Sequence, residues 1–156
     1  MLITTGCEDD DHDNDDHGHT DADGFILENE SGTEVYREFE GAVTGSVTLS
    51  VGDTLELAVH FLDHEGNEIE HEEEEGEEHE EGELEVSGAN ASIAIVEVEH
   101  EEEGDDHDHD HDHEEEHGAG LHIIGVSSGS TSFTLQLMHD GHSDYTSTND
   151  VVVTVN

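Results

Sequence analysis

Apolar and polar residues alternate along much of the chain. Every second position from Leu55 to Phe61 is apolar, and the residues between are Glu, Ala and His. The same alternation runs from Phe133 to Leu137, and Ile93 and Ile95 alternate with smaller apolar residues. A period of two residues turns one set of side chains inward and the other outward, which predicts β-strands. No segment has the apolar stripe of a helix.

Shorter apolar segments predict further strands. They lie at 25–28, 34–39, 43–49, 121–126 and 151–155. Gly-containing turn signals separate them, at 31–32, 51–53, 65–67, 128–129 and 140–141. Many short strands with turns between them are typical of an antiparallel β-sandwich, so we predict an all-β fold.

Acidic residues are concentrated in three stretches that also collect His. The chain has 156 residues, 46 Asp and Glu against 1 Lys or Arg, and a formal net charge of -45. The stretches 8–23, 63–85 and 97–117 hold 36 of the acidic residues and 12 of the 16 His. Adaptation to high salt would spread carboxylates over every exposed face, whereas acid gathered together with His indicates cation binding.

Composition excludes several classes of partner and reaction. With 1 Lys or Arg, the chain cannot displace counterions from phosphates, so nucleic acid is excluded as a partner. The charge disfavours docking on an anionic membrane, and no segment is long enough to span one. A single Cys excludes an internal disulfide. No nucleophile motif or Gly-rich phosphate loop occurs, so we expect a protein that is not an enzyme and has no catalytic residues.

The first seven residues resemble the end of a bacterial lipoprotein signal peptide. Thr5-Gly6-Cys7 matches the small residues and the Cys that becomes lipidated, and the acidic run 8–11 resembles the surface-export signal of Bacteroidetes-type lipoproteins. The resemblance implies an extracytoplasmic protein, at the outer membrane, at the cell surface or in the periplasm, whose membrane contact is a lipid on Cys7. The alternative is a cytosolic protein with one free thiol.

The chain therefore divides into three predicted parts. Residues 1–7 are a signal remnant with the lipidation Cys, 8–23 are a flexible acidic tether, and 24–156 are a β-domain. Two long acidic, His-bearing loops interrupt the β-domain as insertions at about 63–85 and 97–118.

Four segments of the β-domain resemble the bacterial Ig-like group 2 module. They are the strand pair 47–55, the middle segment 90–96, the late turn and strand 125–133, and the closing strand 151–155. The resemblance implies an antiparallel Ig-like β-sandwich. The acidic insertions, and the absence of a Trp before 90–96, depart from the family pattern. Family members are typically extracellular adhesion or carbohydrate-associated modules, which implies export and leaves the ligand open.

The second acidic loop contains an alternating run of Asp and His. Imidazole favours zinc, nickel, copper and cobalt ions, whereas sites built of oxygen ligands favour calcium. An extended run would place its His on one face, and a flexible run would let many pairs close on an ion. The run resembles the His-rich loops of periplasmic zinc-binding and zinc-transport proteins. The predicted metal ligands here are His107, His109, His111, His113, His117, Asp108, Asp110 and Asp112.

Further His residues lie in or beside the predicted strands. His139 and His142 flank a tight turn that also contains Asp140, and such a turn can bring both imidazoles to one ion. A composite site would add a third ligand, and the candidates are His60, His64 and His122. Any of these could instead be an ordinary surface His.

Two main functions stay open at this point. The first is an extracytoplasmic lipoprotein that captures, buffers or delivers transition-metal ions, zinc above all, and passes them to an outer-membrane transporter or a periplasmic carrier. It predicts weaker metal binding below about pH 6, where imidazole protonates. The second is an Ig-like structural, adhesive or self-assembling surface module whose acidic loops bind calcium. A solubilising acidic shell without a specific ligand is a third reading.

Overall fold

The computed structural model describes residues 21–69, 82–99, 119–139 and 141–156, and every regular element in these ranges is a β-strand. No helix in the described ranges has the length and apolar character needed to cross a membrane. The strands are β1 (Gly24–Asn29), β2 (Glu34–Phe39), β3 (Ala42–Gly45), β4 (Val47–Leu49), β5 (Thr54–Leu62), β6 (Glu83–Ser87), β7 (Ala94–Glu99), β8 (Ala119–Gly125), β9 (Gly129–His139), β10 (His142–Thr146) and β11 (Val151–Val155).

The strands form two sheets that pack face to face. The first has six strands in the order β3-β2-β1-β5-β8-β7, and its pairs are antiparallel. The second follows the order β10-β9-β11-β4, and β6 also pairs with β9. Among the described strands, β4 and β11 are the one parallel pair. The all-β prediction with antiparallel sheets is therefore confirmed.

One stretch of chain belongs to both sheets. β3 pairs with β2 in the first sheet, and after Ser46 the chain continues as β4, which pairs with β11 in the second. Gly45 lies at this crossing with a φ of 81°, a conformation that residues with a Cβ rarely adopt. A Cβ there would also overlap the carbonyl oxygen of Val35. The crossing closes this side of the sandwich, and it needs Gly.

The hydrophobic core lies between the sheets and draws on both. Apolar positions of each strand that point inward are almost completely inaccessible to water, and burying one such side chain contributes about 2 kcal/mol. The largest fully buried apolar side chains in the core cluster are Phe25, Leu27, Leu121, Ile123, Phe133, Leu135, Val47, Val151, Val153 and Val155. The inward positions of β5 and β9 are the ones that the alternation predicts.

Three features of the strands differ from the sequence pattern. In β7 the inward face is that of Ala94 and Val96, and the larger Ile95 lies on the outer face. β6 and β10 are not among the predicted strands, because β6 offers only Leu84 and Val86 within an acidic run and Tyr145 is the only apolar residue of β10. β6 and β7 also extend into the acidic stretches expected as insertions at 63–85 and 97–118.

The single basic residue of the chain, Arg37, lies in the middle of β2. It pairs with Ile26 of β1 on one side and with Thr44 of β3 on the other. Its guanidinium donates to the carbonyl of Gly66 at 3.1 Å and lies 5.9 Å from the ring centre of Phe39. The side chain therefore ties the turn after β5 to the outer face of the first sheet.

A wholly buried carboxylate, that of Glu38, joins the two sheets. It accepts hydrogen bonds from the hydroxyl of Tyr145 at 2.9 Å and from the backbone N–H of Thr148 at 2.6 Å. Asn149 donates to it through its backbone nitrogen at 2.9 Å and its side-chain nitrogen at 3.0 Å. These bonds fix the connection between β10 and β11 to the first sheet.

The two tyrosines of the chain, Tyr36 and Tyr145, are both buried. Burial is the main cause that raises the pKa of Tyr36 to about 12, and the carboxylate of Glu38 is the second cause. Burial is also the main cause that raises the pKa of Tyr145 far above its usual value, and the hydrogen bond to Glu38 is the second cause. An unfolded chain gives up both protons near pH 10, so the folded protein binds them more tightly than the unfolded chain does.

We therefore expect stability to depend on these protons in alkaline solution. The contribution of Tyr36 is complete below about pH 10 and is lost as the pH rises through about 12, and that of Tyr145 is lost only at still higher pH. Tyrosinate absorbance, followed against pH, is expected to rise well above pH ~10 in buffer and close to pH ~10 in concentrated urea. A folded protein that ionises both tyrosines near pH ~10 would contradict their burial.

Candidate functional site

Several strand ends of the first sheet meet at one end of the sandwich. Gly24, at the start of β1, pairs with Leu62, at the end of β5. β8 begins beside the second half of β5, where Ala119 pairs with Val59. Glu99, at the end of β7, pairs with Gly120 of β8. The starts of β1 and β8 and the ends of β5 and β7 therefore share one end of this sheet.

The second sheet places its own strand ends at the same end. β6 begins at Glu83, which pairs with Met138 near the end of β9. Tyr145 of β10 pairs with Leu137 near the end of β9, and across the core its ring lies 5.8 Å from that of Phe61 and 6.0 Å from that of Phe25. We call this end of the molecule, bounded by the starts of β1, β6, β8 and β10 and by the ends of β5, β7 and β9, the acidic end.

The acidic end is where all three acidic, His-bearing segments join the described strands. Residues 1–20 precede β1, residues 70–81 lie between Ile69 and β6, and residues 100–118 connect β7 to β8. Ile69 donates its N–H to the carbonyl of Phe61, so the second segment departs beside the end of β5. Predicted residues that fall outside the described ranges are Cys7, His107, His109, His111, His113, His117, Asp108, Asp110, Asp112 and Asp140.

A pair of His side chains also occupies the acidic end. His139 ends β9, His142 begins β10, and the two are direct partners in the antiparallel register. Directly opposed residues place their Cβ atoms about 5 Å apart on one face of a sheet. The two-residue connection contains Gly141 with a φ of 76°, as a tight hairpin requires. The structure therefore has a tight turn between His139 and His142, as the sequence predicts.

A bulge in β10 brings a carboxylate to this His pair. The register shifts between Ser143 and Tyr145, which leaves Asp144 as the extra residue. Its carboxylate oxygen Oδ2 lies 3.7 Å from Nδ1 of His139, and only 8% of the Asp144 side chain is exposed. In many metal sites, a carboxylate near one ring nitrogen of a His fixes the orientation of the ring, and the other ring nitrogen binds the metal ion.

His60 lies on the outer face of the first sheet. Its Nε2 is 4.0 Å from Oε2 of Glu28, and its Nδ1 is 3.7 Å from Oε2 of Glu68. The outward direction agrees with the strand pattern of β5. Since its two ring nitrogens face different carboxylates, His60 belongs to a surface His–Glu cluster rather than to the His139–His142 pair.

His122 forms a second His–Glu cluster on the same outer face. Its Nε2 lies 2.5 Å from Oε1 of Glu99 and 3.5 Å from Oε1 of Glu56. Glu56 is its direct partner in β5, whereas Glu99 approaches diagonally across Gly120, where a Cβ would collide with the carboxylate. The absence of a side chain at Gly120 is what lets Glu99 reach the imidazole.

His64 is exposed in the turn that follows β5. The neighbouring Asp63 closes this turn, because its carboxylate accepts the N–H groups of Asn67 at 3.0 Å and Glu65 at 2.8 Å. Hydrogen bonds from Asn67 and then Glu65 hold the pKa of Asp63 below its usual value. The turn is therefore fixed near the acidic end while its imidazole stays in solvent.

The described side chains supply a His pair at the acidic end and no complete metal site. In the described ranges, no group of three or more His, Cys, Asp or Glu is arranged to hold a metal ion. His60 and His122 do not join the hairpin pair, and each is instead paired with Glu. The partners Glu28, Glu56, Glu68 and Glu99 are ones that sequence reasoning missed, because their contacts depend on strand register.

The solved structures to which the chain is similar include domains of the S-layer protein SbsC. Its domains 5–6 align at 18% identity with a TM-score of 0.44, over 72% of this chain and 40% of that chain. Its domains 4 and 5 align at 15% identity with a TM-score of 0.43, over 84% of this chain and 75% of that chain. The chain thus spans about two fifths of the first of these structures. No family model and no curated protein matches the chain.

Proposed function

We propose that this chain is an extracytoplasmic protein that captures and buffers transition-metal ions, zinc above all, at the acidic end of an Ig-like β-sandwich. The observation that carries the proposal is the meeting of the His139–His142 hairpin with the junctions of all three acidic, His-bearing segments. The location that goes with this function is the one expected from Cys7, a lipid anchor outside the cytoplasm.

The strand order supports the Ig-like part of the proposal. The run β5-β8-β7 corresponds to strands B, E and D of an Ig sandwich, and β6, β9 and β11 correspond to C, F and G. Residues 70–81 then fall between B and C, 100–118 between D and E, and the His hairpin between F and G. Loops at the same end of such a sandwich commonly form one binding surface.

The chemistry of the acidic end supports metal capture. Two imidazoles on opposed strand positions can supply two ligands to one ion, and Asp144 lies beside the first of them. The remaining ligands would come from His and carboxylate side chains of segments 70–81 and 100–118. The dense carboxylates raise the local concentration of cations and speed their capture. Several such sites of moderate affinity would let the ions pass on to a transporter or carrier.

Calorimetric titration of the untagged chain with zinc tests the proposal. The variant H107N/H109N/H111N/H113N is expected to lose most of the bound zinc, and H139N/H142N to weaken the tightest site by about tenfold or more. The variant H60N/H122N removes two His of the outer-face clusters and is expected to leave that site unchanged. Binding should also weaken from about pH 7.5 to about pH 5.5, as imidazoles protonate.

Zinc binding that is unaffected by the quadruple and hairpin variants would contradict the proposal. Calcium titration of the same variants separates the main alternative. Calcium-dependent stabilisation that survives every His substitution, without specific zinc binding, would favour a structural surface module whose carboxylates bind calcium. No metal-dependent change in melting temperature would favour a purely solubilising role for the acid.

A further inference from the structure

β6 and β7 are edge strands of opposite sheets that border one groove. β6 pairs with β9 and β7 pairs with β8, and neither has a second partner among the described strands. The groove between them has a volume of about 550 Å³ and is lined by residues 83–86 and 96–98. Each strand therefore presents one edge of backbone N–H and C=O groups that is available for pairing.

The floor of the groove is apolar and has the period of a strand. Leu84 is buried, and Val86, Val96 and Val98 are half-buried and pack against the core. In both strands these residues are two positions apart, so their side chains lie on the same face. A segment in extended conformation has matching spacing, and its alternate side chains could cover this floor.

The rim of the groove is acidic. Glu83, Glu85 and Glu97 are all exposed, and the one Lys or Arg of the chain, Arg37, lies in β2, away from this edge. Charged side chains on an edge strand keep identical edges apart. A second copy of this chain, with a net charge of -45, is therefore repelled, whereas a Lys- or Arg-bearing strand is attracted.

We propose that the groove between β6 and β7 binds an extended, basic segment of another protein as an added β-strand. Main-chain hydrogen bonds to the free strand edge hold the segment, and its apolar side chains cover Leu84, Val86, Val96 and Val98. Its Lys or Arg side chains pair with Glu83, Glu85 and Glu97. The groove adjoins the acidic end, where β6 begins and β7 ends, and the interaction requires no metal ion.

The test uses the full chain in chelator-containing buffer and a labelled peptide of alternating Val and Lys. We expect backbone amide resonances of 83–87 and 94–99 to shift on peptide addition. E83Q/E85Q/E97Q is expected to weaken binding about tenfold, the sum of three modest ion pairs. E30Q/E40Q/E65Q removes the same charge from exposed sites off the groove and should have a much smaller effect. A peptide with N-methyl groups at alternate backbone positions should not bind, because it cannot pair with a strand edge.

Three results would overturn the proposal. The first two are equal weakening by the two triple variants and equal binding of the N-methylated peptide, because binding would then reflect the overall negative charge alone. The third is slow hydrogen exchange at the free edge of β6 before peptide is added, because the edge would then be covered by this chain itself.

Discussion

Replacement of Glu38 with Ala is expected to lower the free energy of unfolding by about 3–5 kcal/mol. Four donors, from Tyr145, Thr148 and Asn149, would lose their acceptor inside the protein. Each buried donor left unpaired costs about 1–3 kcal/mol, and relief of the desolvation of the buried carboxylate offsets part of the sum. E38Q keeps the side-chain volume and one acceptor oxygen. It should therefore lower the free energy of unfolding by less than E38A does.

Urea denaturation followed by circular dichroism measures this loss. E30A is the control, because Glu30 is exposed in the turn between β1 and β2 and should change stability by less than about 0.5 kcal/mol. The same experiment reports on the tyrosines, because the pKa of Tyr145 should fall once the hydrogen bond to Glu38 is gone. Equal stabilities of E38A and E30A would mean that the carboxylate does not join the sheets.

Replacement of Gly45 with Ala is expected to cost about 3 kcal/mol, in two separable parts. The positive φ of 81° strains any residue with a Cβ by about 1–2 kcal/mol. In addition, the new Cβ would overlap the carbonyl oxygen of Val35, a backbone atom that cannot rotate away. Since Gly45 lies where the chain passes from β3 to β4, relief of this overlap would pull β4 away from β11.

Gly52 provides the matched control for the first part alone. It has a φ of 87°, and a Cβ there would have no atom within 4 Å. G52A should therefore cost only the conformational strain, about 1 kcal/mol, as measured by the same urea denaturation. If G45A and G52A were equally destabilised, the close approach at the sheet crossing would not contribute.

Much of the fold follows from the alternation of apolar residues, and the exceptions have physical causes. β5 and β9 are long, and their inward residues differ clearly from the outward ones. β6 offers only Leu84 and Val86 within an acidic run, and β10 offers only Tyr145 beside a bulge at Asp144. In β7 a small residue, Ala94, takes the buried position, because packing against the facing sheet decides the face. Alternation carries no information about that packing.

The candidate site was predictable in its chemistry and not in its assembly. The turn between His139 and His142 depends only on residues that are adjacent in the sequence, so the sequence predicts it. The turn lies at the same end of the sandwich as the junctions of segments 70–81 and 100–118. This arrangement depends on the pairing order of distant strands, which the sequence does not show. The contacts of His122 with Glu99 depend on register and on the missing side chain of Gly120. Glu38 reads as an ordinary polar strand residue until its donors, more than 100 positions away, are in place.

The position of Arg37 determines how the protein meets trypsin-like proteases. Because the chain has 1 Lys or Arg, the bond between Arg37 and Glu38 is its single cleavage point for such enzymes. That bond lies in β2 with a paired strand on either side, and the residue after it is wholly buried. Cleavage into 1–37 and 38–156 therefore requires the first sheet to separate, so the cleavage rate reports the population of opened molecules. The placement of one side chain therefore protects the folded chain from these enzymes.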